Sequence, residues 1–255
     1  MPLPTADWHQ RFKQQAQWTQ DLRAYLYPRV ELADASKILD LGCGTGALMG
    51  ELHTRSNGAV FGVDIHNAHL RLAQHNVSQP LTLGDAHELP YADGTFDITL
   101  CHFTLMWLKT PAQSLREMTR VTRPGGTVLA LAEPDYDGRI DYPTELEQLG
   151  KWQIESLRRQ GADPLIGRRL ASLFTAAGLN NVETGLLGGQ WNKPPSNQDW
   201  ETEWQVLESD LSKTPRDSKT LRVLRSLDKS AWERGERVLF VPTFYAWGRV
   251  PKSGR

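Results

Sequence analysis

The chain has 255 residues, with 29 Lys and Arg against 30 Asp and Glu, a formal charge of -1. That balance gives no global field to hold nucleic acid, and 39% hydrophobic with 23% charged residues excludes a disordered chain or a coiled coil. Two cysteines, Cys43 and Cys101, exclude a disulfide framework and lack metal-ligand spacing, so no metal is expected. No apolar run approaches the roughly 20 residues of a membrane span. The start, Met1 to Trp8, lacks the basic-then-apolar order of a signal peptide, so a cytoplasmic location with no membrane partner is expected. The compositional oddity is nine Trp against six Tyr and seven Phe, which fits pocket walls, interfaces or simply core.

Residues 8–27 carry Trp8, Phe12, Trp18, Leu22, Tyr25 and Leu26 at helical spacing and predict an amphipathic helix, broken at most once, ending near Pro28. Short apolar runs at 36–41, 59–64, 80–85, 96–101 and 127–132 predict five strands. Helices are expected over 47–52, 69–75 and 112–121 between them. This alternation indicates βαβ units, an α/β fold with a mostly parallel sheet, and a ligand site beyond the strands' carboxyl ends. Later helices are expected over 146–159, 167–177, 198–209 and 218–233, a strand near 181–187, and a terminal strand over 237–250 that Pro242 bulges or leaves at an edge. One domain over 1–255 is expected. Its parts are an N-terminal helical cap at 8–35, a nucleotide-binding core at 36–135 and a helical lid at 188–235.

Asp40-Leu41-Gly42-Cys43-Gly44-Thr45-Gly46 lies between the first strand and its helix. Glycines there let the backbone approach a ligand, and the helix that follows presents free N–H groups. Gly42, Gly44, Ala47 and an acid about 20 residues on, Asp64, also satisfy the dinucleotide pattern, so spacing leaves NAD and S-adenosylmethionine (SAM) open. A Walker loop is excluded, because no Gly-Lys-Ser/Thr follows Gly46. Asp40 is poorly placed beside a pyrophosphate but suits an amino-acid ammonium. Asp64 at a strand end can accept from ribose hydroxyls, and Asp85 of Gly84-Asp85-Ala86 from an adenine amino group.

The glycine loop, Asp64, residues 84–91, Phe96-Asp97 and Arg123-Pro124-Gly125-Gly126 together resemble the class I SAM-dependent methyltransferases, in the small-molecule branch with ubiquinone and menaquinone biosynthesis enzymes. The resemblance covers residues 36–133. It implies a Rossmann-like sheet of seven strands with helices on both faces and an antiparallel last strand, a role residues 238–250 fit. It also implies SAM as cofactor and S-adenosylhomocysteine as product. Gly42, Cys43, Gly44 and Gly46 would line the methionine portion, with Asp40, and Asp64, Ile65 and His66 the ribose and its neighbourhood. Gly84, Asp85, Ala86 and His87 would line the adenine, and Cys101 the region beside the methyl group. Trp18 and Arg23 fall in the segment that closes over the cofactor in such relatives, and Arg23 suits a methionine carboxylate.

For the chemistry, His102 is the candidate neutral base, with Glu133 and Asp135 as acids at the end of the fifth strand able to orient an acceptor or take its proton. Trp107, Tyr136, Arg139, Tyr142, Arg168, Trp191 and Trp200 are the candidate acceptor contacts, each with a packing or solvated-charge reading beside it. The expected function is methylation of N, O or S in a small polar or zwitterionic metabolite by a monomer or homodimer. The alternatives are an NAD(P)-dependent oxidoreductase, an RNA methyltransferase, or a non-catalytic SAM-binding regulator. The Asp/Asn-Pro-Pro-aromatic sequence of nucleic-acid amino-methyltransferases is absent after the fourth strand, which with the near-neutral charge counts against a DNA amino-methyltransferase.

Overall fold

The computed structural model describes residues 5–188, 194–211 and 218–252. Two helices, α1 (Thr5–Trp18) and α2 (Gln20–Arg29), meet at Thr19, and Pro28 falls in the last turn of α2. There follow β1 (Lys37–Leu41), α3 (Met49–Arg55), β2 (Ala59–Asp64), α4 (Asn67–Asn76), β3 (Leu81–Leu83), β4 (Phe96–Cys101), α5 (Pro111–Val121) and β5 (Thr122–Pro134). The second half holds β6 (Ile140–Tyr142), α6 (Glu147–Arg159), α7 (Leu170–Ala176), β7 (Asn180–Leu186), α8 (Asn197–Leu211), α9 (Ser218–Glu233), β8 (Val238–Phe240) and β9 (Thr243–Arg249).

Seven strands form one sheet in the order β3-β2-β1-β4-β5-β9-β7, parallel except that β9 runs antiparallel to both its neighbours. Both faces are covered, which is why the central strands read as unbroken apolar runs. Successive residues serve opposite sides. Ile38, Leu100, Leu129 and Leu131 pack towards Leu26, Met49 and Leu52, whereas Leu39, Cys101, Val128 and Ala130 pack towards Leu115, Met118 and Phe174. Strand order reverses between β1 and β4, so the loops after these two strands diverge and leave a crevice at their carboxyl ends. Among the described residues no helix is long and apolar enough to cross a membrane.

The expected terminal strand divides at Val241 and Pro242. Proline has no N–H for a ladder, and its carbonyl instead accepts from the Asp135 N–H at 2.8 Å. The residues before it, β8, leave the main sheet and pair with β6, an element the sequence pattern did not reveal.

The helices α8 and α9 lie on α6 around a separate small core of Leu146, Leu149, Trp200, Trp204 and Leu224. The indole N–H groups of Trp200 and Trp204 both donate to Asp228 Oδ2, at 2.6 and 2.9 Å. Arg237 bridges Asp228 Oδ1 at 2.6 Å and Asp141 Oδ1 at 2.7 Å. Arg139 closes the chain, donating to Asp141 at 2.5 and 3.0 Å and to Gln153 at 2.6 Å. Trp200 and Arg139, expected as acceptor contacts, are thus committed to holding the helical cover against the paired strands β6 and β8. Arg237 is 1% exposed at its side chain. Arg237→Met should leave buried Asp228 without a cation, Asp141 keeping Arg139, and lower unfolding stability by about 3–5 kcal/mol, the usual effect of breaking one side of a buried ion pair. Chemical denaturation of the purified variant measures it.

Candidate cofactor and acceptor site

Strand β1 delivers its last residues into a loop with left-handed backbone at Gly42 (φ +72°) and Gly44 (φ +54°). A Cβ at Gly42 would lie 2.5 Å from Thr104 Oγ1, and one at Gly44 3.0 Å from the Phe12 ring. Glycine is required here as much by protein packing as by ligand approach. The Gly42 and Cys43 N–H groups donate to the Val63 carbonyl at 2.8 and 3.1 Å. Asp64, at the end of β2, accepts from the Gly44 N–H (2.9 Å) on one oxygen and the His66 N–H (2.8 Å) on the other. The loop and the second strand end therefore form one rigid piece.

Beside it, Asp40 is buried. Among the described residues no hydrogen bond or ion pair reaches its carboxylate, and its neighbour Asp64 is also an acid. Burial first, and repulsion from Asp64 second, push the Asp40 carboxyl up to about 8. After β3, Asp85 accepts from the His87 N–H (2.9 Å) and pairs with its ring (2.7 Å) through a single oxygen, Oδ1.

These groups face a cavity of about 620 Å³. Its cofactor-side wall contains Asp40, Gly42, Cys43 and Gly44, then Asp64, Ile65 and His66, then Gly84, Asp85, Ala86 and His87. His102, Trp107 and Tyr136 line it further along. The sequence reading missed the contribution of α1, which lays Trp8, Arg11, Phe12 and Gln15 over the opening, and that of α6, which supplies Gln153 and Gln160. The i,i+4 spacing of Trp8 and Phe12 was the available signal for α1, but it does not say what the face covers.

Other expected residues lie elsewhere, each for a visible reason. Glu133 is fully buried and accepts from the N–H groups of Thr104 (2.9 Å), Leu105 (2.9 Å) and Met106 (3.2 Å), capping the turn beneath the cavity. Burial pushes its carboxyl up to about 7, opposed by those donors. Asp135 is held by Arg168 at 2.5 and 2.7 Å, which removes both from the wall. Arg23 donates to Glu51 at 2.6–3.2 Å, to the Ala16 carbonyl at 2.5 Å and to Thr19 at 2.7 Å. It ties the N-terminal helices to α3 and does not face the cavity. Trp18 is exposed with the Arg11 guanidinium 4.6 Å from its ring centre, and Tyr142 is also exposed. Gly46 packs on Val77, and Cys101 is buried 3.9 Å from Glu133. Trp191 lies outside the described residues.

His102 pairs through Nε2 with the Thr19 hydroxyl at 2.8 Å. Burial, then the Arg23 cation, push its imidazole down to about 3, so it is neutral at pH 7. Phe103 beside it adopts φ +53°, a strained value for an aromatic residue.

The strand order, the crevice at the β1–β4 switch and the run of acids at successive strand ends define a nucleotide-binding α/β protein of the methyltransferase kind. A family model described as a methyltransferase domain matches residues 39–130. A demethylmenaquinone methyltransferase of Bacillus mycoides is 33% identical over 60% of this chain and 74% of its own length. An uncharacterised 37.1 kDa protein in transposon TN4556 of Streptomyces fradiae is 34% identical over 63% of this chain and 49% of its own. Several curated relatives are likewise spanned over only about half their length. Among solved structures, phosphoethanolamine N-methyltransferase 2 of Haemonchus contortus, bound to phosphomonomethylethanolamine and S-adenosylhomocysteine, aligns with a TM-score of 0.60. It is 16% identical over 91% of this chain and 53% of that one. The chain belongs to the class I SAM-dependent methyltransferase family, and its sequence is similar to the demethylmenaquinone methyltransferases.

Because the folded Asp40 pKa of about 8 lies above its ordinary value of 3.8, the stability it contributes is complete below about pH 4 and is lost as pH rises through 8. Between pH 6.5 and 8 the ligand-free protein should lose stability relative to Asp40→Asn by about 1 kcal/mol per pH unit. Denaturant titrations of both proteins across that window check the slope.

Proposed function

We propose that the protein transfers the methyl group of SAM to N, O or S of a small polar or zwitterionic acceptor. The observation that carries this reading is a single cavity whose one end holds a buried acid with no cation beside the glycine loop and whose other end carries amides and aromatic rings alongside Arg11 and Lys109. A buried acid without a cation fits the ammonium of an amino-acid-bearing cofactor. Asp64 keeps one lone pair on each oxygen beyond its two backbone bonds, enough to accept from ribose hydroxyls. Asp85 Oδ2, not used by His87, suits an adenine amino group.

Bound SAM would supply a methyl group activated by its sulfonium centre. The chain's own part is to hold the acceptor in line and exclude water, and positioning alone can lower such a barrier by several kcal/mol. Gln15, Gln153, Gln160 and Tyr136 are assigned to orient the acceptor's polar groups, and Trp8, Phe12 and Trp107 to shield it. His102, neutral and tied to Thr19, holds the wall and is not the acceptor's proton store. The acceptor atom is therefore one that attacks without a strong protein base: a neutral amine, a thiolate or an acidic hydroxyl.

Isotope-labelled SAM incubated with the protein and a metabolite extract should give a labelled small product identified by mass. Binding of NADH with no binding of SAM would overturn the reading. Asp64→Ala should weaken S-adenosylhomocysteine at least about tenfold by calorimetry, the loss of one well-made charged hydrogen bond or more. His102→Asn should change saturated turnover less than about tenfold, whereas removing a general base typically costs 10²–10⁴-fold.

A further inference from the structure

Outside the roles above, two histidines remain on the cavity wall. His66 ends the turn after β2, and His69 lies in the first turn of α4. With Asp64 they place one ligand atom each within 4.8 Å of one another. His66 Nδ1 is 3.3 Å from Asp64 Oδ1, and the two imidazole centres are 5.0 Å apart. Two imidazoles and one carboxylate are a donor set that selects borderline transition ions over magnesium or calcium. Ligand bonds of about 2.0–2.2 Å require the three atoms to close together slightly, and His66, 68% exposed, is free of packing that would prevent its rotation. The carboxylate is already oriented by two backbone N–H groups, as an outer shell would orient it. The Phe12 ring, edge-on to His69 at 5.6 Å, fixes the second imidazole from behind.

We infer that Asp64, His66 and His69 form a facial binding site for a divalent transition ion such as zinc, open to the cavity, whose occupancy excludes the cofactor's ribose. The site makes the protein's cofactor affinity responsive to free transition metal. The exclusion rests on the proposed ribose role of Asp64, whereas metal binding by the ligand-free chain does not.

Calorimetry of the ligand-free, full-length protein with zinc chloride should show one site of micromolar affinity, with magnesium chloride giving no heat of binding. His66→Ala, at an exposed position, and His69→Gln should each weaken zinc at least about tenfold, the range seen even for outer-shell changes. Saturating zinc should weaken S-adenosylhomocysteine by a similar factor in the parent and not in His66→Ala. No zinc binding, or affinity within twofold of the parent in both variants, overturns the site. Histidine-dependent zinc binding with unchanged S-adenosylhomocysteine affinity overturns the exclusion. Loss of S-adenosylhomocysteine binding in metal-free protein, with zinc binding intact, strikes the proposed function and leaves the site standing.

Discussion

Adjacent parallel strands carry Asp40 and Asp64 to the same end of the sheet, and both are buried. Two acids in that position repel each other, and only Asp64 has backbone donors to offset the loss of water. The imbalance shapes everything near it. The glycine loop must fold tightly enough to bring the Gly44 N–H to Asp64. That tightness leaves Asp40 with no N–H of its own, and the cavity beside it is left with a demand for positive charge. Asp40 in such a cavity resists deprotonation until a cation enters, which is why its raised pKa and the shape of the cofactor-side wall are one feature seen twice.

The same topological position has different outcomes further along the sheet. Asp64 and Asp85 each turn back to accept an N–H two residues on, and their remaining lone pairs face the cavity. Glu133, at the end of β5, has a longer arm and reaches inwards to the three free N–H groups of the turn after β4. It supports the floor of the cavity by fixing Thr104, whose methyl and hydroxyl occupy the space that a side chain at Gly42 would need. Asp135, two residues later, meets Arg168 instead. Residue type at a strand end thus does not decide whether an acid serves a ligand. The nearest unsatisfied donor does.

This marks where sequence reasoning succeeds and where it stops. The five strands from 36 to 132 were legible because the central ones are buried on both faces and the first three run into Gly or Asp, so period and punctuation agree there. The disruption at Pro242 follows from local backbone chemistry and was equally legible, whereas the sequence allowed a break in the N-terminal helix without placing it at Thr19. What could not be read was pairing at long range. Asp141 meets Arg237, 96 residues away, and Arg11 meets Glu203, 192 residues away. Nothing in the local pattern distinguishes Arg23, locked to Glu51, from an arginine held ready for a ligand. The tryptophans show the same limit: their spacing put Trp200 and Trp204 on one helix face, but only the fold shows that this face turns towards Asp228 and not towards the cavity.

The cover also fixes the charge of the acceptor end. Arg11 of α1 lines the cavity, yet it is paired with Glu203 of α8, and Gln14 reaches the Asp199 carbonyl of the same helix at 3.3 Å. These contacts join the N-terminal helix directly to α8. An acceptor that drew on the Arg11 charge would have to release Glu203, a half-buried acid whose carboxyl is already pushed up by burial despite Arg11 beside it. That cost argues against recognition through the Arg11 charge. The three glutamines and Tyr136 can instead satisfy several polar atoms at once without breaking the clasp. The cavity therefore differs along its length: acids dominate the cofactor end, and at the other end amides and rings stand beside Arg11, which Glu203 pairs, and the exposed Lys109.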